Sequence, residues 1–389
     1  MDRIYMDHAA TTPLDERVLE DMMPFLKENF GNPSSAHSFG REVRKAVEEA
    51  REKMASLLGA TPEEIYFTSG GTEADNLAII GTARALRNRG NHIITTSVEH
   101  HAVLDTCLAL KEEGFEVTVL PVDQYGMVDP DDVREAIQEN TILLSVMYAN
   151  NEVGTIQPVE EIGKIARENN ILFHIDAVQS VGNLPVNVEK LSVDLLALSA
   201  HKFYGPKGVG LLFIKEGTGI NHLTHGGGQE RGKRAGTENI PGIIGMAKAM
   251  ELASSELEQS GPRMKALRDR LIHGCLEMEE VKLNGHPSQR LPGNVNVSFE
   301  YIEGEALLLS LDFKGVAASS GSACSSGSMN PSHVLLAAGM SEQTARGAIR
   351  FSLGRHNTME EVDYVLQVIE ESVDKLRSMS SIYQGKGER

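Results

Sequence analysis

Between about residues 40 and 260 the chain alternates short, unbroken apolar runs with longer amphipathic ones. The apolar runs are "EEIYFT", "HIITTSV", "EVTVLPV", "TILLSVMYA", "ILFHIDAV", "DLLALSA" and "GVGLLFIK". "REVRKAVEEAREKMASLLGA", which closes at Gly59, has helical spacing, as do "GGTEADNLAIIGTARAL", "AVLDTCLALKEEG" and "VEEIGKIAREN". A strand apolar on both faces must be covered on both, and parallel neighbours need a crossover between them. The pattern predicts an α/β fold with a mainly parallel central sheet covered by helices.

After about residue 260 the order changes. "GPRMKALRDRLIHGCLEM" predicts a helix, "GNVNVSFE" a strand and "GEALLLSLDF" a helix. "IRFSLGR" and the final helix "TMEEVDYVLQVIEESVDKLRSM" follow. A chain of 389 residues is long for one core. We expect a large domain over 15–258 and a smaller α+β domain from 1–14 and 259–389. The smaller one carries a mobile serine- and glycine-rich loop at about 317–331, "AASSGSACSSGSMNP". A net charge of −18 argues against nucleic acid as main partner. No apolar run reaches the roughly 18 residues of a membrane span, and "MDRIYMDHAATTPLDERV" has no basic-then-apolar leader. The expected location is the cytoplasm. Cys107, Cys275 and Cys324 are too far apart for a disulfide framework or a Cys-x-x-Cys metal site. Cys107 in "LDTCLAL" and Cys275 in "IHGCLEM" have core-like neighbours.

In open α/β sheets ligands sit beyond the carboxyl ends of the strands. After "EEIYFT" come Ser69, Gly70, Gly71 and Thr72, a glycine turn opening a helix. It is either a plain helix start or an anion cradle with free N–H groups; no Gly-Lys-Ser/Thr follows, so it is not a P-loop. After "HIITTSV" come His100 and His101, whose side chains do not converge on a metal. His100 is either structural or stacks on a flat ring and moves protons. Asp176 ends a buried strand, as a helix cap, an ion-pair member or the partner of a protonated ring nitrogen. Ser199, His201 and Lys202 follow "DLLAL": two anion donors and an amine that a pocket could render neutral and imine-forming. Together these groups match the needs of pyridoxal 5'-phosphate. NAD lacks its Gly-x-Gly-x-x-Gly after a first strand.

The motifs "YMDHAATTP", "GNPSSAH", "TSGGTEADN", "EHHAV", "NNEVGTIQP", "HIDAVQS", "SAHKFYGPKG", "RAGTEN", "SSGSACSSGS" and "IRFSLGR" run in order through nearly the whole chain. The sequence resembles the cysteine desulfurases of the NifS/IscS type, within the class V aminotransferase-like, fold-type I pyridoxal-phosphate enzymes. The resemblance implies that Lys202 would carry the cofactor through its amine, Asp176 would pair with the pyridinium nitrogen and His100 would stack on the ring. Gln179 would bond the ring oxygen, and Gly71, Thr72, Ser199 and His201 would hold the phosphate. Thr237 would reach the phosphate of a neighbouring subunit, which implies a homodimer. Arg350 would clamp the carboxylate of L-cysteine, helped by Asn151, which also borders the cofactor, and by Asn32. Gly71 stands where some relatives carry alanine, and the cysteine segment resembles the long-loop group rather than the "HHCAQP" group.

The resemblance also implies a role for Cys324. Its thiolate would take sulfur from cysteine as a persulfide, leaving alanine, and pass it to an acceptor such as an iron–sulfur scaffold protein. No metal is required, although Cys324 could serve as a transient iron–sulfur ligand. Two other readings are weighed against this. One is a selenocysteine lyase or related pyridoxal-phosphate lyase; the other is an assembly platform with little catalysis of its own. A simple aminotransferase has no use for Cys324.

Overall fold

The computed structural model describes residues 3–320, 331–379 and 383. Cys324 and residues 321–330 of the expected loop lie outside them, while at its start Ala317 belongs to a strand and Ser319 bridges to Arg350. The chain opens with β1 (Ile4–Tyr5) and α1 (Glu16–Lys27). In α2 (Ser38–Leu58) the start lies ahead of the expected Arg41, because the His37 ring caps it by accepting from Gly40 N. Gly59, at φ 72°, ends it in the left-handed region. The alternation then runs β2 (Ile65–Thr68), α3 (Gly71–Ala85), β3 (His92–Thr96), α4 (His101–Glu112), β4 (Glu116–Leu120), α5 (Pro130–Ala136), β5 (Thr141–Met147), α6 (Val159–Glu168), β6 (Leu172–Asp176), β7 (Leu195–Ser199) and β8 (Gly210–Ile214). Helix α5 has no periodic stripe to announce it, since Val133 is its buried residue; its signals are the Asp129 cap and Pro130 in the first turn.

The large sheet has the order β2-β8-β7-β6-β5-β3-β4. Its pairs are parallel except that β8 runs against both neighbours. The link from β7 to β8 contains no crossover helix, which an antiparallel pair does not need. Strands β2, β3, β5, β7 and β8 are buried along their whole length, while the edge strand β4 is half-exposed. One face packs on α1, α2, α6 and the first part of α7 (Ile240–Leu276), and the other packs on α3 and α4.

The second core gathers the later part of α7, β9 (Val281–Leu283), β10 (Asn294–Phe299), α8 (Gly304–Phe313), β11 (Val316–Ala317), β12 (Ala348–Ser352) and α11 (Met359–Met379). The short helices α9 (His333–Ala337) and α10 (Glu342–Arg346) pack instead through Val334, Leu335 and Ala345 with Val98, Met147 and Val153. Strand β10 lies between β9 and β12, antiparallel to both, and β1 pairs with β11. Ile4 and Met6 pack here beside Met264, Leu271 and Ile369. The sequence places a helix start at Gly261 and Pro262, but α7 is continuous from Ile240 and carries Pro262 inside it. An interior proline costs about 3 kcal/mol. Burial at both ends, of Ile243, Met246 and Met250 in one core and Met264, Leu267 and Leu271 in the other, outweighs it. The change of pattern near residue 260 therefore falls within a helix.

Cys107 and Cys275 are buried as expected, and burial pushes both thiols up to about 12. Among the described residues no helix is long and apolar enough to cross a membrane, and no cluster of three or more His, Cys, Asp or Glu could hold a metal ion.

Candidate active site

Five of the strands end on one cavity of about 570 Å³. Gly71 and Thr72 follow β2, His100 follows β3, Asn151 follows β5, Asp176 and Gln179 come from the end of β6, and Ser199, His201 and Lys202 from the end of β7. Parallel strands aim their carboxyl ends the same way, so residues far apart in sequence meet without any of them being exposed on a helix face.

Each group has local partners. Lys202 Nζ donates to the carbonyls of Ala9 and Ala10 at 2.7 and 2.9 Å. Gln179 Nε2 donates to the same Ala9 carbonyl at 3.0 Å, so the N-terminal segment closes one wall. Asp176 Oδ1 accepts from Val178 N at 2.9 Å. Burial raises the Asp176 carboxyl above its ordinary value, and His100, the Val178 N–H and Lys202 oppose the rise. An acid in that position is poised to receive a cation. His100 Nδ1 accepts from Ala102 N at 3.1 Å as the cap of α4, so a neutral ring carries its proton on Nε2.

The start of α3 has Gly70 as its cap, with no side chain bonding the first N–H groups. A Cβ on Gly71 would lie 2.7 Å from Val178 Cγ2 and 3.6 Å from Ser199 Cβ, so the backbone there presses on the cavity wall. His201 Nδ1 lies 3.1 Å from Thr11 Oγ1. Burial first, then Lys202 and Lys207, push the imidazole down to about 4, so it is neutral at pH 7. Open helix N–H groups, Ser199, Thr72 and a neutral imidazole form a donor set for a phosphate dianion.

Among the described residues, three of those expected at the site are not in the cavity lining. Arg350, on β12, is fully buried; Nη1 donates to Asn151 O at 3.0 Å and Nη2 to Asp7 Oδ1 at 2.9 Å. Among the described residues its Nε has no partner. It stands behind Asn151, one residue away from the cavity. Asn32 is exposed, and its Oδ1 accepts from Ser34 N at 2.9 Å. Thr237 is exposed. Cys324 lies outside the described residues.

The sequence did not single out a set of buried acids around this cavity. Asp75 lines it from α3, and its Oδ1 lies 3.5 Å from His174 Nε2 without a hydrogen bond on either atom. His174 Nδ1 meets Ser145 Oγ at 2.8 Å. Burial first, then Asp176 and Glu99, hold Asp75 well above the carboxylate range, while burial drives His174 down to about 3. Glu99 is completely buried; Oε1 accepts from Thr96 Oγ1 at 2.6 Å and Met147 N at 3.0 Å. Burial pushes its carboxyl up to about 8. The signal was present as polar letters inside "TSGGTEADN", "SVEHH" and "LFHIDAV", since a polar residue in a buried run needs a reason.

The class-V aminotransferase family pattern matches residues 4–365. The chain belongs to the class-V aminotransferase family. Within that family it is 59% identical over 379 residues to cysteine desulfurase IscS of Methanosarcina thermophila, covering 97% of this chain and 94% of the relative. It is 57% identical over 382 residues to cysteine desulfurase IscS of Dictyoglomus turgidum, at 98% and 97% coverage. A solved NifS-like protein superposes with a TM-score of 0.91 at 45% identity, covering 96% of this chain and all of the other. Membership of the class-V aminotransferases, in company with cysteine desulfurases, implies use of pyridoxal phosphate.

Proposed function

We propose that this chain is a pyridoxal-phosphate-dependent cysteine desulfurase that forms a persulfide on Cys324 and delivers sulfur to an acceptor, an iron–sulfur scaffold protein being the best match. The observation that carries the proposal is the single cavity joining Lys202, Asp176 and His100 to the open start of α3. Its residues fit the cofactor. Asp176 is a buried acid lacking a full cationic partner, Ser199, Thr72 and His201 surround a phosphate-sized donor set, and Lys202 supplies the amine. The names of the relatives support the substrate.

Bound pyridoxal phosphate supplies an electron sink at the substrate α-carbon. The chain's own residues do the rest. Asp176 would pair with the protonated ring nitrogen of the cofactor. Ser199, Thr72, Gly71 and His201 orient the phosphate, and Thr237 serves the same group in a second copy of the chain. Gln179 donates to the ring oxygen. Lys202, now held by the carbonyls of Ala9 and Ala10, would hold the cofactor through its amine and, when free, would carry the substrate α-proton. His100, whose Nδ1 is occupied by Ala102 N, would stack on the ring and offer Nε2–H for proton transfer. Arg350, with Asn151 and Asn32, orients the substrate carboxylate, competing with Asp7 for the guanidinium fork. Cys324 attacks as thiolate: a sulfur–sulfur bond forms, the carbon–sulfur bond breaks, and its electron pair stays with the β-carbon, which takes a proton to give alanine. Residues 15–258 then hold the cofactor and supply Asn32 and Asn151, and 1–14 with 259–389 bring Arg350 and the thiol.

The test is to incubate purified protein with L-cysteine, measure alanine, and look by mass spectrometry for one added sulfur atom on the Cys324 peptide. Full sulfide release by C324A would refute the thiol step. Faster turnover of selenocysteine than cysteine would favour the lyase reading. A colourless protein that binds a scaffold but forms no alanine would favour the platform.

A further inference from the structure

Three consecutive carbonyls, beginning at the cavity-lining Asn151, are each taken by side chains from residues 290–350. Asn151 O accepts from Arg350 Nη1 at 3.0 Å. Glu152 O accepts from Nδ2 of Asn294 at 3.2 Å and of Asn296 at 3.0 Å. Val153 O accepts from Arg290 Nη2 at 3.0 Å. The turn is closed on itself, because Asn150 Oδ1 accepts from Glu152 N and Val153 N at 2.8 and 2.9 Å. Gly154 follows at φ 78°, and a Cβ there would lie 2.6 Å from Asn294 Oδ1. Only glycine lets the turn press this closely on β10.

Arg290 is buried, and its other bonds go to Asn294 O, Asn284 O, His286 O and Asn294 Oδ1. Every one of these acceptors is neutral. Burial, with Arg268 nearby, pulls the guanidinium down to about 9. A buried cation without an anion is a poor way to add stability, since an apolar side chain of similar volume usually serves better. What the planar fork does supply is direction: it fixes three chain segments at set angles. One of those segments carries Asn151, and Arg350 touches that same segment from the next strand.

We propose that Arg290 is a positioning residue for the substrate-carboxylate site, holding the 151–154 turn so that Asn151 and Arg350 keep one relative geometry. This rests on the reading of Asn151 and Arg350 as that site. Arg290 touches neither substrate nor cofactor. Its loss therefore weakens capture of the carboxylate and leaves the chemistry at Lys202 alone. Lysine cannot replace it, because an ammonium cannot span Val153 O, Asn284 O and Asn294 O together.

The experiment compares holoenzyme wild type, R290K, N296A and R350K. The readouts are KM and kcat for cysteine, coenzyme affinity, and the dissociation constant of L-alanine followed by coenzyme absorbance. R290K is expected to raise KM and the alanine constant about tenfold, with kcat and coenzyme affinity within about twofold of wild type. N296A, which leaves Asn294 on Glu152 O, is expected to raise both about threefold. It decides the matter if R290K does not fold. Wild-type KM and alanine binding in both variants, or a fall in kcat or coenzyme affinity in step, would overturn the inference while R350K still raises KM. Unchanged KM in R350K would instead overturn the carboxylate reading itself.

Discussion

Replacing Glu99 by glutamine should flatten the pH dependence of stability of the coenzyme-free protein. In the native fold the carboxyl is held up to about 8 from an ordinary 4.5, chiefly by burial, with Asp176 adding to the rise and bonds from Thr96 and Met147 opposing it. Between those two pH values the native state keeps a proton that the unfolded chain has released. The native state binds more protons, so stability falls as pH rises through that window and is lost in full above about 8. At about 1.4 kcal/mol per pH unit the loss is at most about 5 kcal/mol. Glutamine resembles the protonated acid: its oxygen can accept from Thr96 and Met147, and its amide takes the place of Oε2, which has no partner. E99Q should match wild type below pH 4.5 and exceed it by up to about 5 kcal/mol above pH 8. For a chain of 389 residues that is a difference of about 6 °C in Tm. Asp75, Asp176 and Cys107 face the same space. The Glu99 charge pushes Asp75 and Cys107 up, so its removal eases both and adds to the gain of E99Q at high pH. Thermal unfolding of both proteins from pH 4.5 to 8.5 is the assay. Parallel curves would mean that Glu99 is ionised in the native fold and that the burial argument is wrong.

Asp176→Asn should weaken coenzyme binding about ten- to hundredfold, by loss of a charge-assisted contact, in an absorbance titration of coenzyme-free protein. Gly71→Ala should destabilise by about 1–3 kcal/mol, because the new Cβ lies 2.7 Å from Val178 Cγ2. Adding Val178→Ala should recover most of that in the same denaturation assay. Glu230→Ala should cost about 3–5 kcal/mol. It strips Arg51 of a two-point ion pair, with both contacts at 2.9 Å, and leaves Phe67 N without its acceptor. If unfolding of Glu230→Ala matched wild type, that buried pair would not be holding α2 to the sheet.

The sheet was legible because its strands are apolar on both faces and short, a pattern few other structures need. The edge strand β4, half-exposed, was found only because it sits in rhythm with the rest. The reversal of β8 was not legible, since an apolar run says nothing of its direction. Nor was the continuity of α7. Gly261 and Pro262 look locally like a start, and only burial at both ends of the helix overrides them. Of the site, the residues that end strands were legible because position after a strand has meaning. Asp75 and Glu99 were not, because each sits among other polar letters, in "TEADN" and "SVEHH", and His174 is one polar letter in "ILFHI"; all three show themselves only when neighbouring elements bring them together. Asp7 and Arg290 act across more than 130 residues of chain, and no local pattern links them to Asn151.

Because α7 runs unbroken from one core into the other, the two halves share a single rigid member rather than a tether. A gene cut at residue 258 would yield two fragments, each ending in half a helix with a bare apolar stripe. Any rocking of one half on the other must flex this rod, and Pro262, which has no N–H to give the preceding turn, is the joint at which it can yield.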